Sequence, residues 1–402
     1  MDKYSEALKV IFWRTEFYGA MTGGGVAAMH RGMTNALNEL GNKSIYVSSG
    51  EVALPDYVKF YHIPYSNFFR NYPEVLTLPY IGKSVRTMKK IIEIEQPDFL
   101  FQHHHDFTTA GTDIKKITGI PFFLHCDFIQ QWTKKYWGKL YLEKLLRLGE
   151  EIQWMNADRI FTISSVAKDM MVNEYGVDES KIVVNPNGVN TDFFRESESD
   201  RISIRKELKI ENKFVQGFSG TFGVYHGVEY LAQAVKKTVS LVPDSFFLFI
   251  GDGELKPQVQ QIIKENNSEG NVYFTGLVSY HEVPAYLSAC DVLHTPCINN
   301  QDSSDYFGSP TKLFEYMSMN LPVIATAVGQ QKEVIEHLKN GFLINEKSPE
   351  EIALAIQTLS KDRALSVSLA QNARNDAVEK WDWKNNVTRI INEYKSIILA
   401  ET

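Results

Sequence analysis

The chain has 402 residues, of which 44% are hydrophobic and 23% charged, and it carries a formal net charge of -7. This balance excludes an intrinsically disordered chain, argues against a nucleic-acid partner, and at ~100–200 residues per domain predicts two domains. Cys126, Cys290 and Cys297 are an odd number without metal-ligand spacing and suit a reducing compartment.

Leu8–Trp13 reads as the first strand, followed by Thr22-Gly23-Gly24-Gly25 and a helical stretch to Leu40. Asp98–Gln102, Pro121–Cys126, Arg159–Ile163 and Ile182–Asn185 read as later strands of the same half. The polar stretch Arg195–Asp200 looks like an exposed connector. The pattern then restarts with strands at Phe214–Ser219, Ser245–Ile250, Val272–Gly276, Asp291–Thr295 and Pro322–Thr326, and a helix at Gly227–Ser240. Apolar strands alternating with helices imply parallel sheets covered by helices, hence two doubly wound α/β domains in tandem. Open parallel sheets bind ligands beyond the carboxyl ends of their strands, so two such sheets facing a central cleft would collect the functional residues there. Met1–Val10 is too charged for a signal peptide, and no apolar run approaches the ~20 residues of a membrane span. The expected location is therefore cytoplasmic, with any membrane contact peripheral, at the inner face.

Gly23 and Gly24 lie where a strand turns into a helix. Glycines allow close backbone approach, and a helix N-terminus offers free N–H groups to an anion. The residues permit either diphosphate contact or a plain tight turn, and the spacing is not the Gly-x-Gly-x-x-Gly dinucleotide fingerprint. Ser309-Pro310-Thr311-Lys312-Leu313-Phe314-Glu315-Tyr316-Met317 carries more information. Ser309 suits an N-cap and Pro310 a first helical position. Lys312 and Glu315 are three apart and share a helix face. A cation in the first turn opposes the macrodipole, a cost that a bound anion would offset, while Glu315 could accept hydrogen bonds from a ribose diol. The alternative is a surface Lys–Glu pair of little energetic consequence.

Ser309–Ala325 closely resembles the signature of glycosyltransferase family 4, retaining enzymes of the GT-B fold. Asn187-Gly188-Val189-Asn190, Gly217-Phe218-Ser219-Gly220, His226-Gly227-Val228-Glu229, Ile250–Glu254, Val272–Gly276 and the tail with Trp381 and Trp383 are similar to further pieces of that family, in its order. The resemblance implies two Rossmann-like domains: residues 1–190, with a C-terminal helix 384–402 packing back onto it, for the acceptor, and residues 191–383 for the nucleotide-sugar. It implies donor contacts from Gly23, Gly24, Ser219, Thr221, His226, Gly276, Leu277, Val278, Ser309, Pro310, Thr311, Lys312 and Glu315. It places His125 beside the transferred sugar, a capped strand-end histidine being the plainer alternative. With Lys312 and Glu315, His125 forms the candidate catalytic set. The chain departs from the family at Thr221 and His226, where many relatives carry an arginine and a lysine, and at Phe307, where they carry a first glutamate. These changes resemble a variant branch in which Lys312 supplies the missing cation.

His103-His104-His105-Asp106 invites a metal reading, but consecutive strand residues point to opposite faces, so three neighbouring histidines do not chelate one ion easily. His104, His105, Asp106 and Asp127 are therefore expected at the acceptor, with no metal site and no cofactor beyond the co-substrate. Gln131–Arg147 interleaves Lys134, Lys135, Lys139, Lys144 and Arg147 with Trp132, Tyr136 and Trp137. It reads either as a peripheral contact with anionic lipid or as a solvated helix with an apolar core face. The predicted reaction moves a sugar from a UDP- or GDP-sugar to a saccharide or lipid-linked hydroxyl. A GT-B epimerase and a non-catalytic nucleotide-sugar-binding subunit are the alternatives, and a dinucleotide oxidoreductase is disfavoured by the absent fingerprint.

Overall fold

A computed structural model of the chain describes residues 7–15, 25–52, 54–65, 78–136, 142–300 and 304–401. Gly23 and Gly24, part of the 131–147 stretch and residues 301–303 lie outside the described residues. The described chain divides into two compact units. The first takes in Val26–Pro186 and Trp383–Thr402 together with the first strand, and the second takes in Asn187–Asp382.

In the first unit the elements run β1 (Lys9–Arg14), α1 (Gly25–Glu39), β2 (Lys43–Ser48), β3 (Lys59–His62), α2 (Leu78–Glu95), β4 (Phe99–His103), α3 (Ala110–Thr118), β5 (Phe122–Cys126), α4 (Gln130–Tyr136), α5 (Glu143–Asn156), β6 (Arg159–Thr162), α6 (Ser165–Asn173) and β7 (Ile182–Val184). The strands form a parallel sheet in the order β3-β2-β1-β4-β5-β6-β7. The second unit contains α7 (Glu198–Leu208), β8 (Phe214–Ser219), α8 (Val228–Leu241), β9 (Ser245–Ile250), α9 (Lys256–Glu265), β10 (Val272–Gly276), α10 (Val283–Ser288), β11 (Val292–Thr295), α11 (Thr311–Ser318), β12 (Val323–Thr326), α12 (Gln331–Val334), β13 (Phe342–Ile344), α13 (Pro349–Lys361) and α14 (Arg363–Lys380). Its sheet order is β10-β9-β8-β11-β12-β13, and α15 (Trp383–Glu401) returns to the first unit.

Strand β9 shows why these runs become central strands. Phe246, Leu248 and Ile250 join one apolar cluster while Phe247 and Phe249 join another, so alternate residues fill the cores on the two faces of the sheet. A strand buried on both faces must be apolar throughout, as Ser245–Ile250 nearly is. In the first unit Val10, Phe12, Phe99, Phe101, Phe123 and Phe161 meet Met29 and Met33 of α1 and Trp383, Val387 and Ile390 of α15. An added Cβ on Gly32 would lie 2.2 Å from the Trp383 indole, so a bare backbone is what lets that ring seat against α1.

The Arg195–Asp200 stretch is not a connector. Ser197 caps α7, its Oγ accepting the Asp200 N–H at 3.3 Å, and Glu198 and Asp200 sit in a first turn where the macrodipole favours carboxylates. Beyond α1 the chain crosses from the first unit to the second at Pro186–Asn187, before the expected residue 190, and Trp383 belongs to the first unit.

Candidate functional site

In the second unit the site grows from the carboxyl ends of β8 and β10 and the start of α11. Tyr316 of the Ser309–Met317 motif is fully buried and ties α11 to β8. The Ser219 N–H donates to its hydroxyl oxygen at 2.6 Å, and the hydroxyl donates to the Ser219 carbonyl at 3.2 Å. The motif's opening differs from expectation. Helix α11 begins at Thr311 with Pro310 at the cap position and no side-chain cap. Ser309 instead holds Asn187: its Oγ accepts the Asn187 N–H at 3.0 Å, and its carbonyl accepts from Asn187 Nδ2 at 2.7 Å. The two sequence pieces that resembled the family thus meet physically.

Lys312 lies in the first turn of α11 and is 7% exposed. Its Nζ has no hydrogen-bond partner among the described residues and sits 4.2 Å from the centroid of the Phe218 ring. Burial lowers its pKa to about 8, against the opposing pull of Cys297 and Glu315. The backbone is shaped around it: Gly220 has φ +133°, and a Cβ there would stand 2.9 Å from Nζ. Leaving an ammonium buried and unpaired is costly, as is a cation among the free N–H groups of a helix start. Glu315, half-buried one turn on, makes its own contacts.

His226 is buried beside this lysine. Burial, with Lys312 adding to it, lowers its pKa to about 3, and its Nδ1–H donates to the Thr221 carbonyl. It is therefore neutral and cannot act as the second cation, and Thr221 is exposed without charge. Gly276 closes β10 at φ +70°, Leu277 is 82% exposed, and Val278 packs partly against the core. Phe307 is buried and apolar, so a carboxylate's place is filled by core.

In the first unit the predicted acceptor residues do cluster, and Glu150, which the sequence does not single out, joins them. His103 Nε2 lies 2.9 Å from Asp127 Oδ2, and His125 Nε2 lies 2.5 Å from Asp127 Oδ1. Burial pushes the Asp127 carboxyl up, but His125 and His103 outweigh it and hold it well below the usual range. His104 turns to the other side: its Nδ1–H donates to the Phe128 carbonyl at 3.3 Å, and its Nε2 is 3.6 Å from Glu150. Burial keeps His104 neutral, with a pKa of about 3. Glu150 is fully buried and accepts the N–H groups of Gln130 and Gln131 at the start of α4, yet burial still raises it to about 7. Asp106 is gripped by His105 Nδ1 at 2.8 Å and by Lys134 Nζ at 2.6 Å. Lys134 is thus turned inward and is not one of the surface cations that Gln131–Arg147 suggested. His103, His125 and Asp127 offer three ligand atoms within 4.8 Å of one another. Glu150 did not stand out in the sequence, and His103 stood out only with its consecutive histidines, because each gains its partner only from a neighbour far along the chain.

Comparison with known proteins places both units. A model described as Glycosyltransferase Family 4 matches residues 23–193, and one described as Glycosyl transferases group 1 matches residues 200–376. An uncharacterised glycosyltransferase of Methanocaldococcus jannaschii is 24% identical over 387 residues, covering 92% of this chain and 94% of that protein. The UDP-Gal:alpha-D-GlcNAc-diphosphoundecaprenol alpha-1,3-galactosyltransferase of Escherichia coli is 24% identical over 323 residues, covering 79% and 80%. Among solved structures, Anabaena HepE in complex with UDP matches with a TM-score of 0.75 at 20% identity, over 97% of this chain and 100% of that one. With two Rossmann-like parallel-sheet units and both family models matched in sequence along its length, the chain is a family 4 glycosyltransferase of the GT-B fold.

Proposed function

We propose that the protein transfers a sugar from a UDP-sugar to a hydroxyl of a saccharide or lipid-linked acceptor, with retention of anomeric configuration. The observation that carries this reading is Lys312, a buried ammonium without a hydrogen-bond partner at the start of α11. A diphosphate there meets the ammonium and the first N–H groups of the helix together. Glu315 takes the ribose, and the Gly276–Val278 loop meets the base. The donor charge is then carried by Lys312 and the helix amides, so transfer requires no divalent ion. Departure of the diphosphate leaves an oxocarbenium-like sugar stabilised by the same groups. His125 stands beside the transferred sugar, and His104, His105, Asp106 and Asp127 shape the acceptor side. UDP is chosen because the Anabaena relative is described with UDP and the Escherichia coli relative is named for UDP-Gal. The latter's diphosphoundecaprenol substrate supports a lipid-linked acceptor and work at the inner membrane face. Among the described residues no helix is long and apolar enough to cross a membrane, while α5 and the residue before it expose Leu142, Leu145, Leu148 and Met155 beside Lys144 and Arg147. That face supports peripheral contact from the cytoplasmic side.

The neutral His226 favours one second reading, a subunit that binds the donor without turning it over. A thermal-shift panel of UDP, GDP, ADP and NAD, followed by UDP release from UDP-sugars with a diphosphate-lipid saccharide, separates the two. Stabilisation by UDP with acceptor-dependent release is expected. Stabilisation without release would favour the subunit, and no stabilisation by any nucleotide would defeat both.

A further inference from the structure

The ends of β4 and β5 hold a side-chain arrangement that sugar transfer uses only in part. His103 and His125 are register partners on adjacent parallel strands, so their side chains leave the sheet on the same face. Asp127, two residues beyond His125, comes back to that group. The two imidazole rings lie 5.7 Å apart at an angle of 32°. Asp127 divides its carboxylate between them, Oδ2 toward His103 Nε2 at 2.9 Å and Oδ1 toward His125 Nε2 at 2.5 Å. The second contact is not a hydrogen bond: His125 Nε2 and Asp127 Oδ1 each lack such a partner among the described residues, although His125 is 0% exposed and Asp127 7%. A buried nitrogen aimed at a buried carboxylate oxygen, close but misaligned, is the arrangement of two ligands directed at a common third atom.

We infer that His103, His125 and Asp127 form a binding site for a divalent transition-metal ion, with Zn²⁺ the best match. Two imidazole nitrogens and one carboxylate oxygen are a donor set that zinc accepts, whereas Mg²⁺ and Ca²⁺ favour all-oxygen shells. The consecutive histidines of the sequence do not chelate together, since alternation sends His104 to Glu150 and Phe128. The cross-strand partner of His103 supplies what its sequence neighbours cannot. Three protein ligands leave a fourth position open, which suits an exchangeable ion rather than a closed structural one. The site has a consequence that rests on the transfer reading: an ion on His125 takes that side chain away from the sugar, so Zn²⁺ inhibits transfer.

The full chain, stripped with EDTA and dialysed against Zn²⁺, is expected to retain one ion per chain by elemental mass spectrometry. His103→Gln and Asp127→Asn should each weaken Zn²⁺ by at least about ten-fold, the loss that even outer-shell changes commonly cause. His62→Gln, altering an exposed histidine outside the cluster, should leave it unchanged. Co²⁺ should give visible absorption bands that disappear in His103→Gln, a variant that carries the test if Asp127→Asn does not fold. Equal zinc content in wild type and His103→Gln, or no retained zinc, would overturn the site. These measurements use neither donor nor acceptor, so they stand or fall apart from the transfer reading. In the turnover assay, EDTA-reversible inhibition by Zn²⁺ with unchanged UDP affinity is expected. Undiminished turnover at saturating Zn²⁺ would overturn the inhibitory consequence.

Discussion

Replacing Lys312 by methionine should stabilise the ligand-free protein and cripple donor binding, and the two effects share one cause. Lowering the ammonium from its ordinary 10.5 to about 8 corresponds to ~3 kcal/mol spent on carrying the charge in the folded state. Between those two values the unfolded chain holds the proton and the folded chain does not, so stability rises with pH across that window. Below about pH 8 the full cost is present; above 10.5 it is gone. Methionine keeps the length and the contact with Phe218 but carries no charge. At pH 7 it should raise the unfolding midpoint of the second unit by several degrees, at about 2–4 °C per kcal/mol for a domain of this size. At pH 10.5 the two proteins should converge. With UDP the gap should narrow or close, because a charge-assisted bond to the diphosphate contributes ~1.5–3 kcal/mol, or about ten- to hundred-fold in affinity, to wild type alone. Differential scanning calorimetry at two pH values, with and without UDP, and titration calorimetry measure all of this. A variant less stable than wild type without ligand, with unchanged UDP affinity, would show that Lys312 is an ordinary structural lysine.

Glu315→Ala should weaken UDP binding about ten-fold or more by isothermal titration, at ~1.5–3 kcal/mol per charge-assisted bond; a dissociation constant equal to wild type removes Glu315 from the site. His125→Ala should cut acceptor-dependent UDP release while UDP affinity stays within about two-fold, reflecting about 0.4 kcal/mol; wild-type turnover would make His125 structural. Glu150, raised from 4.5 to about 7, contributes stability that is present below pH 4.5 and lost as pH rises through 7, by ~3 kcal/mol. Glu150→Gln should flatten that part of the thermal stability profile, and an unchanged slope between pH 5 and 7, the window of about its shift, would remove Glu150 as its source. Gly227 adopts φ +61° and a Cβ there would fall 1.9 Å from the Pro296 carbonyl oxygen, so Gly227→Ala should lower the unfolding free energy measured in urea by about 2 kcal/mol or more; a neutral substitution would mean that the turn before α8 relaxes freely.

Strands buried on both faces were legible because their runs are mostly apolar, as in Ser245–Ile250, and Phe214–Ser219 also has the expected bounds although Gln216 interrupts it. Strands β2, β3 and β13 were not seen. Lys59–His62 is a largely exposed edge strand of four residues, and Phe342–Ile344 has only three, too few for any period to show. The Ser309–Met317 segment was legible as a site because a lysine in a first helical turn is a local contradiction. Its burial was not, since that depends on Phe218 and Cys297. Ser309 was misassigned as a cap for a related reason: its hydroxyl could serve α11 or Asn187, and only tertiary structure chose Asn187. The His103–His125 pairing required the strand register, which no stretch of either strand encodes by itself.

The return of α15 to the first unit has a bearing on how the protein is made. Trp383, Val387, Ile390 and Ile391 complete a core whose other members come from the opening 161 positions, and Tyr394 lies against Phe99. Meanwhile the second unit is tied off at its own base, where the Val189 N–H donates to the Trp381 carbonyl. On the ribosome the later half therefore has everything it needs while the earlier half still waits for its last helix. Vectorial folding should run in reverse of chain order, with the opening sheet held unfinished until the final turns of helix leave the exit tunnel.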